Sequence, residues 1–327
     1  MDNPISAGLI EETGRAVLAA SQRIRNSVIE TPLEPVSDLG APSSVRVLFK
    51  REDLQETGSF KLRGATNKIL ALSSADRARG IIAASNGNHG MGVAAAAAGI
   101  GIRAEVWVSS HVSPGKARKI EQYGAEVRKS GSDPLDAEIA GREAAEKSGR
   151  TFISPYNDPE VIAGQGTIAV EMLRRQPKID AVFVAVGGGG LIGGVGAYLK
   201  WVSPATEVIG CWPENSPVLL EAIKAGRIVD VVEQPTLSES TSGGLEPGSV
   251  TLDICRNVID HAVLVTEEEI RNAMLLVRNT QGWLMEGAAA VALAAFMKTA
   301  VNYEGKTVAV IICGGNVSEE VKKNIGV

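Results

Sequence analysis

The sequence is poor in the residues that build disulfide frameworks and metal centres. Its three cysteines, Cys211, Cys255 and Cys313, show no paired spacing, and its three histidines, His89, His111 and His261, lie far apart. Neither a disulfide scaffold nor a zinc site is expected, and no metal is assigned. No stretch approaches the length of a membrane span, and the N-terminal MDNPISAGLIEETGRA has no basic region followed by an apolar run. No membrane partner and no export leader are therefore expected, and a reducing cytoplasm is the expected location. Basic residues are not in excess: 33 Lys and Arg against 38 Asp and Glu leave a net charge of -5. That balance argues against a nucleic-acid partner and leaves small molecules as the expected ligands.

What is present is a soluble globular composition, 44% apolar and 22% charged, over 327 residues, enough for two domains. Short β-branched runs at 45–49, 80–85, 104–109, 181–186, 207–212, 261–266 and 308–313 read as strands. Helical periodicity at 115–123, 134–148, 159–175, 190–200, 216–225, 267–281 and 284–299 lies between them. Strands apolar on both faces, separated by helices, predict an α/β fold whose sheets are mostly parallel and covered by helices. The cluster FISPYNDPE at 152–160 marks a domain boundary. In open parallel sheets ligands bind beyond the carboxyl ends of the strands, so residues that directly follow strands carry the functional information.

Three such stretches stand out. Gly187, Gly188, Gly189 and Gly190 follow the strand at 181–186 and open a helix; free amides at a helix N-terminus make a phosphate cradle. Gly188, Gly190 and Gly193 also match the G-x-G-x-x-G dinucleotide fingerprint, although the acidic residue expected about 20 positions on falls at Glu207, at a strand's start. An NAD-dependent oxidoreductase stays open on that match alone. In ASNGNHG, Ser85, Asn86, Asn88 and His89 gather hydroxyl, amide and imidazole groups suited to a carboxylate or phenolic oxygen. In VIICGGNVS, Cys313 ends the last strand, where its sulfur would face a ligand.

The stretch SFKLRGA carries the reactive group. Ser59 reads as an N-cap, which places Lys61 in the first turn of a helix, where the positive dipole end lowers an ammonium pKa. Desolvation by Phe60 and Leu62 shifts it the same way. A neutral lysine is a nucleophile that forms Schiff bases, and a phosphate cradle beside it suits a phosphorylated aldehyde cofactor.

With these parts in view, the sequence resembles the pyridoxal-phosphate enzymes of the tryptophan synthase β-like group (fold type II), and within it the serine/threonine dehydratase and serine racemase family. The matching motifs are TGSFKLRGA (57–65), SNGNHG (85–90), KARKIEQYGAEV (116–127), AGQGTIAVE (163–171), GGGGL (187–191), EGAAA (286–290) and CGGN (313–316), in the family's order and over nearly the whole chain. The resemblance implies two domains, each a mostly parallel twisted sheet covered by helices, with residues 1–79 and 156–327 binding the cofactor and 80–155 carrying the substrate loop. It implies pyridoxal 5'-phosphate held by Lys61 as the Schiff-base lysine, Phe60 against the ring, Asn88 on the phenolic oxygen, Gly187 to Gly190 with Leu191 around the phosphate, and Cys313 beside the pyridine nitrogen. Ser85, Asn86, Asn88 and His89 would form the loop for the substrate carboxylate. The implied partners are a small amino-acid substrate and a second copy of the chain in a homodimer.

The implied activity is β-elimination from a β-hydroxy-L-amino acid of the threonine or serine type, giving a 2-oxo acid and ammonia. Two positions depart from the family. Racemases place a serine base where this chain has Asn86, so racemisation is disfavoured; family members with a cation site place an acidic residue where it has Trp212, so no divalent metal is expected. Trp212 and Tyr156 either line a roomier pocket, for a substrate such as 3-phenylserine or 3-hydroxyaspartate, or pack in the core. A β-replacement synthase and a racemase are the alternatives within the cofactor class. A non-enzymatic amino-acid-binding module would be expected to lack Lys61, and no regulatory domain is expected after residue 327.

Overall fold

The computed structural model describes residues 4–327; the first three residues, part of the stretch read for a leader, lie outside the described residues. In chain order the strands are β1 (Leu33–Val36), β2 (Arg46–Arg51), β3 (Ile81–Ala84), β4 (Ala104–Val108), β5 (Glu126–Lys129), β6 (Thr151–Phe152), β7 (Ala181–Ala185), β8 (Glu207–Pro213), β9 (His261–Val265) and β10 (Thr307–Ile312). The α-helices are α1 (Pro4–Ile24), α2 (Lys61–Ala71), α3 (Ser74–Arg79), α4 (Asn88–Ile100), α5 (Pro114–Gln122), α6 (Pro134–Ser148), α7 (Pro159–Arg175), α8 (Gly190–Val202), α9 (Val218–Ala225), α10 (Thr251–Val258), α11 (Glu267–Gln281), α12 (Gly287–Thr299) and α13 (Glu319–Ile325). Among the described residues no helix is long and apolar enough to cross a membrane.

The strands form two sheets, one of six in the order β1-β2-β10-β7-β8-β9 and one of four in the order β5-β4-β3-β6. Every pairing is parallel except β1 with β2, so the expected α/β class with parallel sheets holds. All seven apolar runs are strands. The three strands that the apolar pattern does not mark, β1, β5 and β6, all lie at sheet edges, where one side needs no apolar cover and a proline such as Pro35 is tolerated.

Helix ends follow local chemistry. Asp158 accepts from the amides of Glu160 and Val161 while Pro159 opens α7, and Asp133 with Pro134 does the same for α6. Thr266 and Glu269 make a reciprocal capping box on α11.

One core fills the six-stranded sheet and its helices; a second joins β3, β4 and α4 to Leu62, Ala65 and Ile69 of α2. Helix α2 is packed between α4 of the smaller sheet and α7 beside the larger one. It crosses α7 at glycines: a Cβ on Gly164 would lie 2.6 Å from Gly64 Cα, and one on Gly64 would lie 2.8 Å from the Val161 carbonyl oxygen. On its other side, a Cβ on Gly92 of α4 would lie 3.0 Å from the Leu62 nitrogen.

Behind α2 lies a buried charge network. The Arg63 guanidinium donates to both oxygens of Glu52 (2.7 and 2.8 Å) and both oxygens of Glu171 (2.7 and 2.8 Å), and Lys50 Nζ reaches Glu171 at 2.5 Å and the Thr31 carbonyl at 2.8 Å. Two cations meet two anions, so the group is neutral. Burial works against each charge. The carboxylates nevertheless hold Arg63 above its ordinary range, Arg63 and Lys50 hold Glu52 below its own, and for Lys50 burial prevails and its pKa falls. Removing one member leaves uncompensated buried charge. Arg63→Ala is expected to lower unfolding stability by about 3–5 kcal/mol, whereas Lys147→Ala, at an exposed pair with Glu143, is expected to cost no more than about 0.5 kcal/mol; denaturant unfolding of the two variants compares them.

Candidate active site

The segments after β2, β6 and β10 meet the start of α2, Glu52 at Arg63, Pro155 at Lys61 and Cys313 at Phe60, and Tyr156, next to Pro155, packs on the glycines after β7. Helix α2 begins at Lys61 with Phe60 in the cap position and no side-chain cap. Ser59 is therefore not the N-cap expected from the sequence. It is buried, makes an antiparallel bridge to Gly314, and its hydroxyl has no partner; the loop after β10 claims its backbone before the helix starts. Phe60 is drawn into the same bridge, its amide donating to the Cys313 carbonyl at 3.1 Å.

Lys61 Nζ donates to the Pro155 carbonyl at 2.8 Å and lies 5.2 Å from the centroid of the Phe60 ring. Desolvation pushes its pKa down to about 8, which keeps a substantial fraction of the amine neutral near physiological pH. Cys313, directly after β10, is buried, and burial together with the Glu286 carboxylate pushes its thiol up. It is a neutral hydrogen-bonding group.

The glycine run after β7 is sterically required. A Cβ on Gly187 would lie 2.9 Å from the Thr241 backbone, one on Gly188 2.5 Å from the Tyr156 ring, one on Gly189 2.8 Å from Leu219, and one on Gly190 3.0 Å from Tyr156 Cα. Gly189 also has φ +87, a left-handed conformation natural to glycine. Gly190 and Leu191 then open α8, and the first amides of a helix have no partner inside it. Tyr156 closes over this loop, its hydroxyl accepting from the Glu246 amide at 2.8 Å. Gly193 faces Ile254 inside the fold, and Glu207 is the first residue of β8, the strand end away from the glycines. The dinucleotide reading therefore lacks its ribose partner.

In the loop after β3, Ser85 Oγ accepts from the Gly87 amide at 3.1 Å. The Asn86 amide is engaged by Ser109 at the end of β4, donating to its hydroxyl at 2.8 Å and accepting from its amide at 2.9 Å. His89 is buried; its Nε2–H donates to the Ile153 carbonyl at 2.9 Å, Nδ1 has no partner, and burial followed by the Lys61 charge takes its pKa down to about 3. Its ring is thus held in the neutral form. Asn88 opens α4, with its Nδ2 2.9 Å from both oxygens of Glu286 and its Oδ1 3.0 Å from Asn316 Nδ2.

Three residues of this cluster were not singled out from the sequence. Glu286 and Asn316 stand inside the quoted EGAAA and CGGN motifs, so their signal was present; Ser240, whose hydroxyl donates to Glu286 at 3.0 Å, lies in an irregular stretch without one. Trp212 takes the core alternative: it is fully buried in the larger core against Gly210, where a Cβ would lie 2.5 Å from its ring.

A desolvated amine, a run of glycines with no room for a Cβ at a helix N-terminus and a neutral thiol beyond three strand ends fit a phosphorylated aldehyde with an aromatic nitrogen. Comparison with known proteins agrees. The profile of the family described as "Pyridoxal-phosphate dependent enzyme" matches residues 24–314. The chain is 40% identical to an L-threonine ammonia-lyase of Thermotoga maritima over 298 residues, 91% of this chain and 74% of that protein. Among solved structures it is similar to the processed form of threonine deaminase isoform 2 from Solanum lycopersicum, with a TM-score of 0.92 and 31% identity over 97% of this chain and 92% of that one. It is also similar to a serine racemase from Dictyostelium discoideum, with a TM-score of 0.84 and 30% identity over 93% of this chain and 98% of that one. From its site, its fold and these relatives together, the chain belongs to the pyridoxal-phosphate-dependent enzymes of fold type II.

Proposed function

We propose that this protein is a dehydratase, or ammonia-lyase, that eliminates water from L-threonine or L-serine to leave an enamine, whose imine form takes a water back and yields a 2-oxo acid and ammonia. The observation that carries this reading is Lys61: a lysine brought to a pKa of about 8 by desolvation, at the first position of a helix and beside the glycine loop. The names of the threonine ammonia-lyase and threonine deaminase relatives support the substrate class.

Pyridoxal phosphate, when bound, supplies an aldehyde that condenses with amines and a conjugated ring that takes up electrons from the substrate Cα. The chain supplies the rest. Amides from Gly187 to Leu191 at the start of α8 would hold the phosphate, and Phe60 would flank the ring. The neutral Cys313 thiol would face the ring nitrogen without protonating it. Lys61 Nζ would be the base that receives the substrate Cα proton. Ser85 and the amides at the start of α4, with Asn86, Asn88 and His89 shaping their loop, would receive the substrate carboxylate. We read residues 80–155 as the unit carrying this loop, and 1–79 with 156–327 as the unit holding the cofactor.

Racemisation needs a second base, and the Asn86 amide has no basic nitrogen and is occupied by Ser109. Because Trp212 is a core residue, it gives no support to a roomier pocket for 3-phenylserine or 3-hydroxyaspartate. A 2-oxo acid assay across threonine, serine and these two bulkier or acidic β-hydroxy amino acids is expected to show the highest kcat/KM for threonine or serine. Lys61→Ala is expected to lose both turnover and the visible absorbance that borohydride removes from the wild type; 2-oxo acid formation at the wild-type rate by this variant would refute the assignment. The pKa of Lys61 sets a second expectation. Only the neutral amine condenses with an aldehyde, so the rate at which the cofactor-free chain takes up pyridoxal phosphate should rise through pH of about 8 and level off above it. A stopped-flow pH series in which the rise continues towards the ordinary lysine value of 10.5 would contradict it.

A further inference from the structure

We propose that Glu286 is a positioning residue for the cofactor site: its buried carboxylate determines which end of the Asn88 amide is presented to the bound cofactor. The proposal rests on the reading above that Asn88 faces the cofactor ring oxygen. An asparagine side chain has a donor end and an acceptor end of nearly the same shape, so only partners of unambiguous polarity fix its orientation. Here such partners form a chain. The Thr57 carbonyl can only accept, and it takes a hydrogen bond from Asn316 Nδ2 at 2.8 Å. That nitrogen can only donate, and its second contact is Asn88 Oδ1 at 3.0 Å. The opposite end of Asn88, Nδ2, therefore faces Glu286, 2.9 Å from each carboxylate oxygen. One Nδ2 proton shared between the two oxygens leaves the other free for an acceptor in the site.

Glu286 has no simpler task in the fold. It occupies the cap position of α12, yet its side chain makes no cap hydrogen bond. Instead it collects donors from three separate parts of the chain: Asn88 at the start of α4, Ser240 Oγ at 3.0 Å, and the Asn316 amide at 2.8 Å. Space has been kept for it as well, since a Cβ on Gly314 would lie 2.5 Å from Glu286 Oε1. The charged and titratable groups around it are Lys61, Lys116 and the Cys313 thiol, and burial pushes its own pKa up.

Glu286→Gln tests the assignment, because it turns one of the two carboxylate acceptors into a donor where three donors converge. The cofactor-free variant should melt within a few degrees of wild type, since the substitution is isosteric. In the holoenzyme the pH at which the visible band titrates should move by about one unit, the size expected when one hydrogen bond to a charged group is lost. In turnover, kcat should fall about tenfold with a smaller change in KM, and Glu286→Asp should recover part of both effects. A Glu286→Gln holoenzyme with the wild-type titration and kcat overturns the proposal. Should that variant fail to fold, Asn316→Ala, which removes the partner of Asn88 Oδ1, is read by the same two measurements. Asn88→Ala separates the two layers of the argument. An unaltered holoenzyme spectrum in that variant removes the reading of Asn88 itself, whereas an altered spectrum there beside an unaltered one in Glu286→Gln removes only the role of Glu286.

Discussion

The start of helix α2 depends on the ion cluster behind it. Arg63 sits two residues after Lys61, and its guanidinium is held on both sides by carboxylates, Glu52 from the end of β2 and Glu171 from α7. A planar fork with fixed donors suits that double engagement far better than a point charge. Because the cluster is buried and balanced in charge, removing a member leaves an unpaired charge in the interior. The helix that begins at Lys61 is thereby tied to the larger sheet and to α7 at once. Lys50 completes the balance from β2, so the strand, the helix and the amine are set by one electrostatic condition.

Small residues supply the second constraint on the same helix. The Gly64–Gly164 crossing brings the backbones of α2 and α7 into near contact, and Gly92 does the same for α4. Close approach on two sides leaves α2 little freedom to rotate, so Lys61 emerges at one point between the loops that end β3, β7 and β10. The amine is desolvated by that enclosure, and its depressed pKa follows from the position of the helix. The same economy appears at the glycine loop, where Thr241 and Tyr156 occupy the space that side chains would need.

Much of this was legible in the chain itself. Strands apolar on both faces announced parallel sheets, and glycines directly after a strand announced a helix N-terminus open to an anion. The edge strands β1, β5 and β6 were not legible, because an edge strand need not be apolar on both faces. Ser59 illustrates a different limit. Its residue type suits an N-cap, but the bridge to Gly314 takes its backbone, and the helix begins two residues later. Asn86 and His89 show a third. Their chemistry suits a substrate loop, yet Asn86 bonds to Ser109 and His89 to the Ile153 carbonyl, partners far away in sequence.

By itself, the sequence determined the class of fold and marked Lys61 and the glycines after β7 as the candidate site, because each depends on local chemistry: periodic burial, one amine, and a stretch of backbone without Cβ atoms. The tertiary structure alone decided how those parts are aimed. The orientation of the Asn88 amide and the gathering of Asn88, Ser240 and Asn316 on Glu286 depend on contacts between residues 30 to 259 positions apart. Hydrogen bonds act over about 3 Å, so only the closed fold can bring such groups within reach of one another.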